Sequence, residues 1–367
     1  MQQLKQHQRT VARPPRAFAD PDLVELGRSI ELGLLGGDRF ADLEREGRAR
    51  LFHGATLAKA PSAASLWSLV SAGELSFDED EIRLVVSGPG GLRVIPPEVW
   101  TIPGDRASRP IRTTDPARVH RLFDQGTTIV FQQLDRRLPA LARVAAALSA
   151  RFGHPVQCSA YLSPPSAQGL DIHHDTHDVL VLQIEGLKRF RLFEPIVAQP
   201  VPRIDLSPAQ VARARPVRDV ALMPGDLLYL PRGVPHCAVA GEDFSLHLTI
   251  GVLAQSWAAL IEPLASELYF LEPLRQAIPT GGIYDPETLR RGAEAAVDQI
   301  VAWLRVFGTE RLAALASERF VASFARRPPY PDEPDVPVGS LEPAPDDGEV
   351  LITPTARKRY IPPMGDE

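Results

Sequence analysis

Residues 170–195 read LDIHHDTHDVLVLQIEGLKRFRLFEP, and they set His173, His174, Asp175 and His177 directly before an apolar run. In an extended segment alternate side chains share a face, so His173 and Asp175 point together while His174 points away. A third ligand has to come from elsewhere, and the donor singled out is His236 in MPGDLLYLPRGVPHCAV, delivered by the turn LPRGVPH to the mouth of the next strand. Two histidines and one carboxylate leave coordination positions open on a metal, which suits a non-haem Fe(II) oxygenase. Zinc accepts the same donors, and His173 with His177 would make an i, i+4 pair on a helix. The β-branched, proline-bounded surroundings argue against that helix. Lys188 is the remaining candidate. One reading gives it a surface ion pair with Glu185, worth at most about 1 kcal/mol. The other turns it inward toward the metal.

The elements decide between these. TTIVFQQL, PVQCSAYL, DVLVLQIE, KRFRLFEP, DLLYLP and FSLHLTIGV are short runs rich in β-branched, aromatic and leucine residues, cut by proline and glycine, and they make residues 127–253 a β domain. EGLKR predicts a two-residue type II′ hairpin at Gly186-Leu187, with Lys188 pairing across it with Glu185. MPGD predicts a type II turn. A straight chain would carry Glu185 ~33 Å from Asp175. For Lys188 to reach the metal, the chain must bend at Thr176 to Asp178 and cross to a second sheet, as in a jelly roll. Ser245, His247 and Thr249 alternate along the last strand and can line the same barrel as ligand-supporting or substrate contacts, a hydrogen-bonded core role for His247 being equally open. His174 and His177 read as loop residues, Arg232 as a turn residue and Cys237 as a small buried one.

Beyond the barrel, residues 255–326 read as helical. Trp257, Leu260, Ile261, Leu264, Leu268 and Leu271 share one face, with a kink expected at Pro263; Leu289, Ala293, Val297, Ile300, Leu304 and Phe307 share another. Asp285-Pro286 is a helix start. The first 126 residues mix helical and strand-like stretches and read as a cover. Many of the 36 prolines gather near the end, in a linker-like tail.

With 367 residues and 44% hydrophobic content the chain can shield a site. The N-terminus has no apolar signal core, and no segment approaches the ~20 apolar residues of a membrane span, so a cytoplasmic protein without a membrane partner is expected. Two cysteines exclude a disulfide framework and a thiolate zinc site. A net charge of -6 with both signs interleaved gives no footprint for nucleic acid.

Taken jointly, YLSPP, the HxD of His173 and Asp175, a lysine fifteen positions after that first histidine and the distal histidine after PRG resemble the JmjC-type, cupin-fold 2-oxoglutarate oxygenases, and within them the ribosomal oxygenases. The similarity is dense over residues 100–253. It implies an α+β protein with a double-stranded β-helix core, divided into a covering subdomain (1–99), the catalytic barrel (100–254), a helical dimerisation segment (255–326) and a proline-rich tail (327–367), a possible winged-helix remnant. It implies His173, Asp175 and His236 as iron ligands, Lys188 on the far carboxylate of 2-oxoglutarate, and Tyr161, Ser159 and Thr249 as further residues of the co-substrate pocket. Ser159 departs from the asparagine that the family commonly has there. The implied reaction consumes O₂ and 2-oxoglutarate at Fe(II), releases succinate and CO₂ and hydroxylates an arginine or histidine side chain of a protein substrate, a ribosomal protein by resemblance; the implied assembly is a homodimer. Two other readings stay open: a hydroxylase of a small peptide or natural product, and a metal-binding cupin without 2-oxoglutarate chemistry.

Overall fold

Six successive buried residues open the strand Asp178–Glu185, a pattern that requires apolar cover on both faces of its sheet. The computed structural model supplies it. The model describes residues 21–325 apart from 74, 79, 89–90, 107–108, 203 and 262–263, together with 349–350. Strands are numbered along the chain as β1 Arg50–Phe52, β2 Ile82–Val86, β3 Arg93–Val94, β4 Thr101–Arg106, β5 Arg109–Thr114, β6 Thr128–Phe131, β7 Val156–Ser163, β8 Asp178–Glu185, β9 Lys188–Phe193, β10 Pro216–Leu222, β11 Leu227–Leu230, β12 His236–Ala240, β13 Ser245–Val252 and β14 Glu349–Val350. Nine of them form one sheet in the order β14-β1-β11-β8-β13-β7-β6-β2-β3, three form a minor sheet in the order β10-β9-β12, and β4 pairs with β5.

The sheets make a jelly roll. Val179 and Val181 on the inner face of the large sheet pack with Phe190, Leu192 and Leu222 of the minor one. On its outer face Leu180, Leu182, Leu248 and Ile250 join a second core that includes Leu34 and Leu148 from the helices Pro21–Leu35 and Pro139–Phe152. Truncating a fully buried leucine such as Leu248 to alanine costs ~2–5 kcal/mol, because the packed surroundings collapse only partly into the void.

The chain does cross between sheets, though not through the expected hairpin. β8 and β9 never pair. Glu185 is registered with Leu246 of β13, and Lys188 with Leu222 and Ala240 of the minor sheet. Gly186-Leu187 is a corner from one sheet to the other, forced because β8, apolar on both faces, already has β11 and β13 at its edges. Gly186 takes φ +65, and a Cβ there would overlap the carbonyl oxygen of Phe244. The expected turn at Pro224-Gly225 does form, with Gly225 at φ +89 and the Asp226 amide donating to the Met223 carbonyl at 2.8 Å.

Residues 20–254 and 255–327 fall into two separate compact units. In the second, where a helix is expected over 255–271, helix is described over Trp257–Ile261 and Leu264–Leu268, followed by a 3₁₀ turn at Glu272–Arg275. The expected kink at Pro263 lies outside the described residues. Leu264 is buried, but Trp257 is 82% exposed and does not join an inward face. The helix Pro286–Ala325 starts where Asp285 Oδ1 accepts the Glu287 amide, and it leaves Leu289, Val297 and Leu304 exposed. No helix among the described residues is long and apolar enough to cross a membrane. Apart from 349–350, the tail from 327 lies outside the described residues.

Candidate functional site

His173 and His236, far apart in sequence, are held as a two-way backbone pair. The His173 amide donates to the His236 carbonyl at 3.1 Å and the His236 amide to the His173 carbonyl at 2.8 Å. The Gly233 amide donates to the Asp175 carbonyl at 3.0 Å, tying down the third residue. Each imidazole has Nδ1 on a backbone carbonyl, His173 on Asp171 at 2.8 Å and His236 on Val234 at 3.1 Å. A carbonyl only accepts, so both rings carry the proton on Nδ1 and present a bare Nε2. His236 Nε2 stands 3.7 Å from Asp175 Oδ2, and one donor atom from each of His173, Asp175 and His236 lies within 4.8 Å of the others.

Electrostatics favours the same protonation. Burial and then His173 push His236 down to about 4. Burial opposes the charge on Asp175, yet the surrounding imidazoles, His236 first, hold its carboxyl below the usual carboxylate range. Two lone pairs and one carboxylate converging in this way fit a divalent cation with open positions.

Lys188 faces the same cavity. It is only 2% exposed, its Nζ donates to Ser163 Oγ at 2.7 Å, and Thr128 Oγ1 donates to the same oxygen at 3.0 Å. Burial alone drives its ammonium down to about 7. Glu185 does not pair with it; Glu185 Oε1 accepts the Ala63 amide at 2.7 Å. Among the described residues no carboxylate forms an ion pair with Lys188. Register places Lys188 and His236 on one inward face, since His236 opposes Leu192 and Ala240 opposes Lys188.

Between them lie three rings. Tyr161 stacks on His247 with centroids 4.9 Å apart and planes 6° apart, and Phe190 stands edge-on to His247 at 5.8 Å. Burial, then Asp175, raises the Tyr161 phenol. Ser159 and Thr249 are directly opposed on β7 and β13 and both line the cavity; Ser159 Oγ also accepts the Gln133 amide at 3.2 Å. Ser245 turns to Gln183, whose Nε2 donates to its hydroxyl at 2.9 Å.

Several residues add to their expected places or depart from them. His177 lies in a loop as expected, and there it also lines the cavity over Gly251, where a Cβ would come within 2.9 Å of its Nε2. His174 points away as expected but is buried, with Nε2 2.8 Å from the Ile204 carbonyl. Cys237 is half-buried on the outer side of β12. Gln157, Ser163 and Thr128 were not foreseen. Gln157 had a signal, since 157, 159 and 161 alternate along β7. Asp178 was missed as well: buried, it accepts the Tyr229 hydroxyl at 2.9 Å and the Arg232 amide at 3.3 Å, fixing the corner after Asp175.

This chain is similar to known proteins over the region that carries the site. Residues 131–260 match the JmjC domain. The chain is 34% identical over 227 residues to ribosomal oxygenase 2 of Bos taurus, covering 58% of this chain and 48% of that protein. It is 33% identical over 189 residues to the bifunctional lysine-specific demethylase and histidyl-hydroxylase NO66 of Drosophila pseudoobscura pseudoobscura, covering 51% and 17%. It thus spans less than half the length of these two curated relatives. Among solved structures, YcfD, a ribosomal oxygenase from Escherichia coli in complex with cobalt and 2-oxoglutarate, aligns with a TM-score of 0.45 and 19% identity over 78% of this chain and 71% of that one. Over residues 131–260 this chain matches the JmjC domain, and across 227 residues its sequence is similar to a ribosomal oxygenase.

Proposed function

We propose that the protein is an Fe(II)- and 2-oxoglutarate-dependent dioxygenase that hydroxylates a side chain of a protein substrate. His173, Asp175 and His236 hold the iron, and Lys188 pairs with the far carboxylate of 2-oxoglutarate. The observation that carries this reading is Lys188: a buried ammonium with no counter-charge among the described residues, on the same inward face as His236. Burying an uncompensated cation is costly, and a dicarboxylate held at the triad relieves that cost with a charge-assisted bond. A bystander cupin has no need of it.

Bound Fe(II) and 2-oxoglutarate supply the oxidising chemistry from O₂, releasing succinate and CO₂ as a C–H bond of the substrate becomes C–OH. The chain's own residues do the rest. Nδ1 contacts with Asp171 and Val234 fix both imidazoles, Ser163 and Thr128 aim the Lys188 ammonium, and Val179, Val181 and Phe190 keep the floor dry. Tyr161, Ser159 and Thr249 border the co-substrate.

The printed names of the relatives support a ribosomal protein as substrate and a histidine side chain as target; the interleaved charge supports a protein over a nucleic acid. Exposed Val297 and Leu304 support a homodimer through the helical unit, and a sequence with only two cysteines and no CxxC spacing supports a cytoplasmic setting. Anaerobic titration of 2-oxoglutarate into the Fe(II) protein tests the core of the proposal through a visible charge-transfer band. A search for substrates that gain one oxygen atom in mass then identifies the target. Absence of the band in wild-type protein would leave a metal-binding cupin without this chemistry.

A further inference from the structure

His247 is a buried polar side chain with one ring nitrogen unsatisfied among the described residues. Among the described residues, its Nδ1 is sealed from solvent and has no hydrogen-bond partner. It sits on β13 between Gln183 and Tyr161, stacked on the Tyr161 ring and edge-on to Phe190, and its own ring is a wall of the cavity that holds Lys188 and His236. With Nδ1 sealed, Nε2 is the nitrogen left to meet that cavity.

A neutral imidazole has one N–H. Set on Nδ1, the proton would leave a donor with nothing to receive it; set on Nε2, it points a donor into the cavity, where a ligand oxygen can accept. Burial, then the nearby Lys188 ammonium and His236, keep the ring neutral, well below its ordinary range. The acceptor has to be small and anionic, because this part of the barrel holds an uncompensated cation and is walled by aromatic rings. Ser163 Oγ cannot serve, being occupied by Lys188 and Thr128.

We infer that His247 is a co-substrate-binding residue, its Nε2–H donating to the carboxylate of 2-oxoglutarate that Lys188 pairs with, while Tyr161 holds the ring in plane. This rests on the 2-oxoglutarate reading above and adds a second, uncharged donor to it.

His247→Phe keeps an aromatic ring against Tyr161 and deletes both nitrogens; His247→Gln gives up the stack and keeps an N–H close to the Nε2 position. Calorimetric titration of 2-oxoglutarate into the Zn(II)-loaded proteins reads the bond without turnover, with metal content and circular dichroism measured alongside. The expected result is a Kd raised about 10- to 100-fold in His247→Phe, the loss typical of a hydrogen bond to a charged group, with part of the affinity recovered in His247→Gln and metal content unchanged in both. Wild-type affinity in folded His247→Phe, or a His247→Gln no tighter than His247→Phe, would overturn the inference while leaving the 2-oxoglutarate reading in place. Wild-type protein that binds no 2-oxoglutarate would overturn both.

Discussion

Lys188 is a buried ammonium with no carboxylate partner among the described residues, and its substitutions are correspondingly informative. Lys188→Ala leaves the incoming carboxylate unpaired, so 2-oxoglutarate affinity should fall by the ~3–5 kcal/mol typical of a broken buried pair, with iron binding unchanged. Lys188→Arg keeps the charge on a different fork and should recover part of the affinity. The ammonium titrates at about 7 in the free protein, and a bound carboxylate raises that value. Above pH 7 binding must therefore take up a proton, so affinity should be flat below pH 7 and weaken by at most about tenfold per pH unit above it. Calorimetry in buffers of different ionisation enthalpy measures that proton directly. The same depression means that between about 7 and the ordinary lysine value of 10.5 the folded chain binds fewer protons than the unfolded one. Stability of the free protein gains from this group as pH rises through that window. Alanine at His173, Asp175 or His236 should abolish iron binding and turnover, since three protein ligands leave no spare. His174→Ala should spare iron and cost ~1–3 kcal/mol of stability, because the Ile204 carbonyl loses its buried partner. Iron content against denaturation midpoint separates the two classes.

At the scale of elements, the corner at Gly186 sets where Lys188 goes. Gly186→Ala meets both a positive φ and the Phe244 carbonyl, so it should destabilise the protein by at least ~1–3 kcal/mol in denaturant titration. It should also weaken 2-oxoglutarate binding more than iron binding, because β9 starts two residues later. This corner also shows what a sequence discloses. The strand periods, the Asp285 cap and the convergence of His173, Asp175 and His236 follow from local residue types and could be read directly. So could the need for a bend before β8, from reach alone. The choice between hairpin and corner could not, because Gly-Leu satisfies the same local geometry in either. What decides it is the double-sided burial of β8 and the strands already at its edges. His177 over Gly251, Ser163 beside Lys188 and Asp178 under Tyr229 were hidden for the same reason: each contact depends on register between strands or segments distant in sequence.

For the whole molecule, the helical unit keeps Val297 and Leu304 exposed on a 40-residue helix. A homodimer through that surface predicts that Leu304→Glu, alone or with Val297→Glu, yields soluble monomers by light scattering with the barrel's iron binding intact. Leu264 is the poorer probe, being buried within its own chain. A wild-type monomer across a wide concentration range would remove the dimer.

The backbone pair between His173 and His236 has a consequence for the protein's history with its metal. The segment that bears His173 and the strand that bears His236 are joined to each other, so the chain-closure entropy of bringing them together is spent in folding and not on ion binding. The metal-free protein is then a native state with its ligands already in register, and the ion stabilises it only by mass action, ~2.7 kcal/mol when free ion stands at a hundred times Kd. A chelator should lower the melting temperature modestly and leave the circular dichroism of the fold intact, and added Fe(II) should restore full binding without a refolding phase.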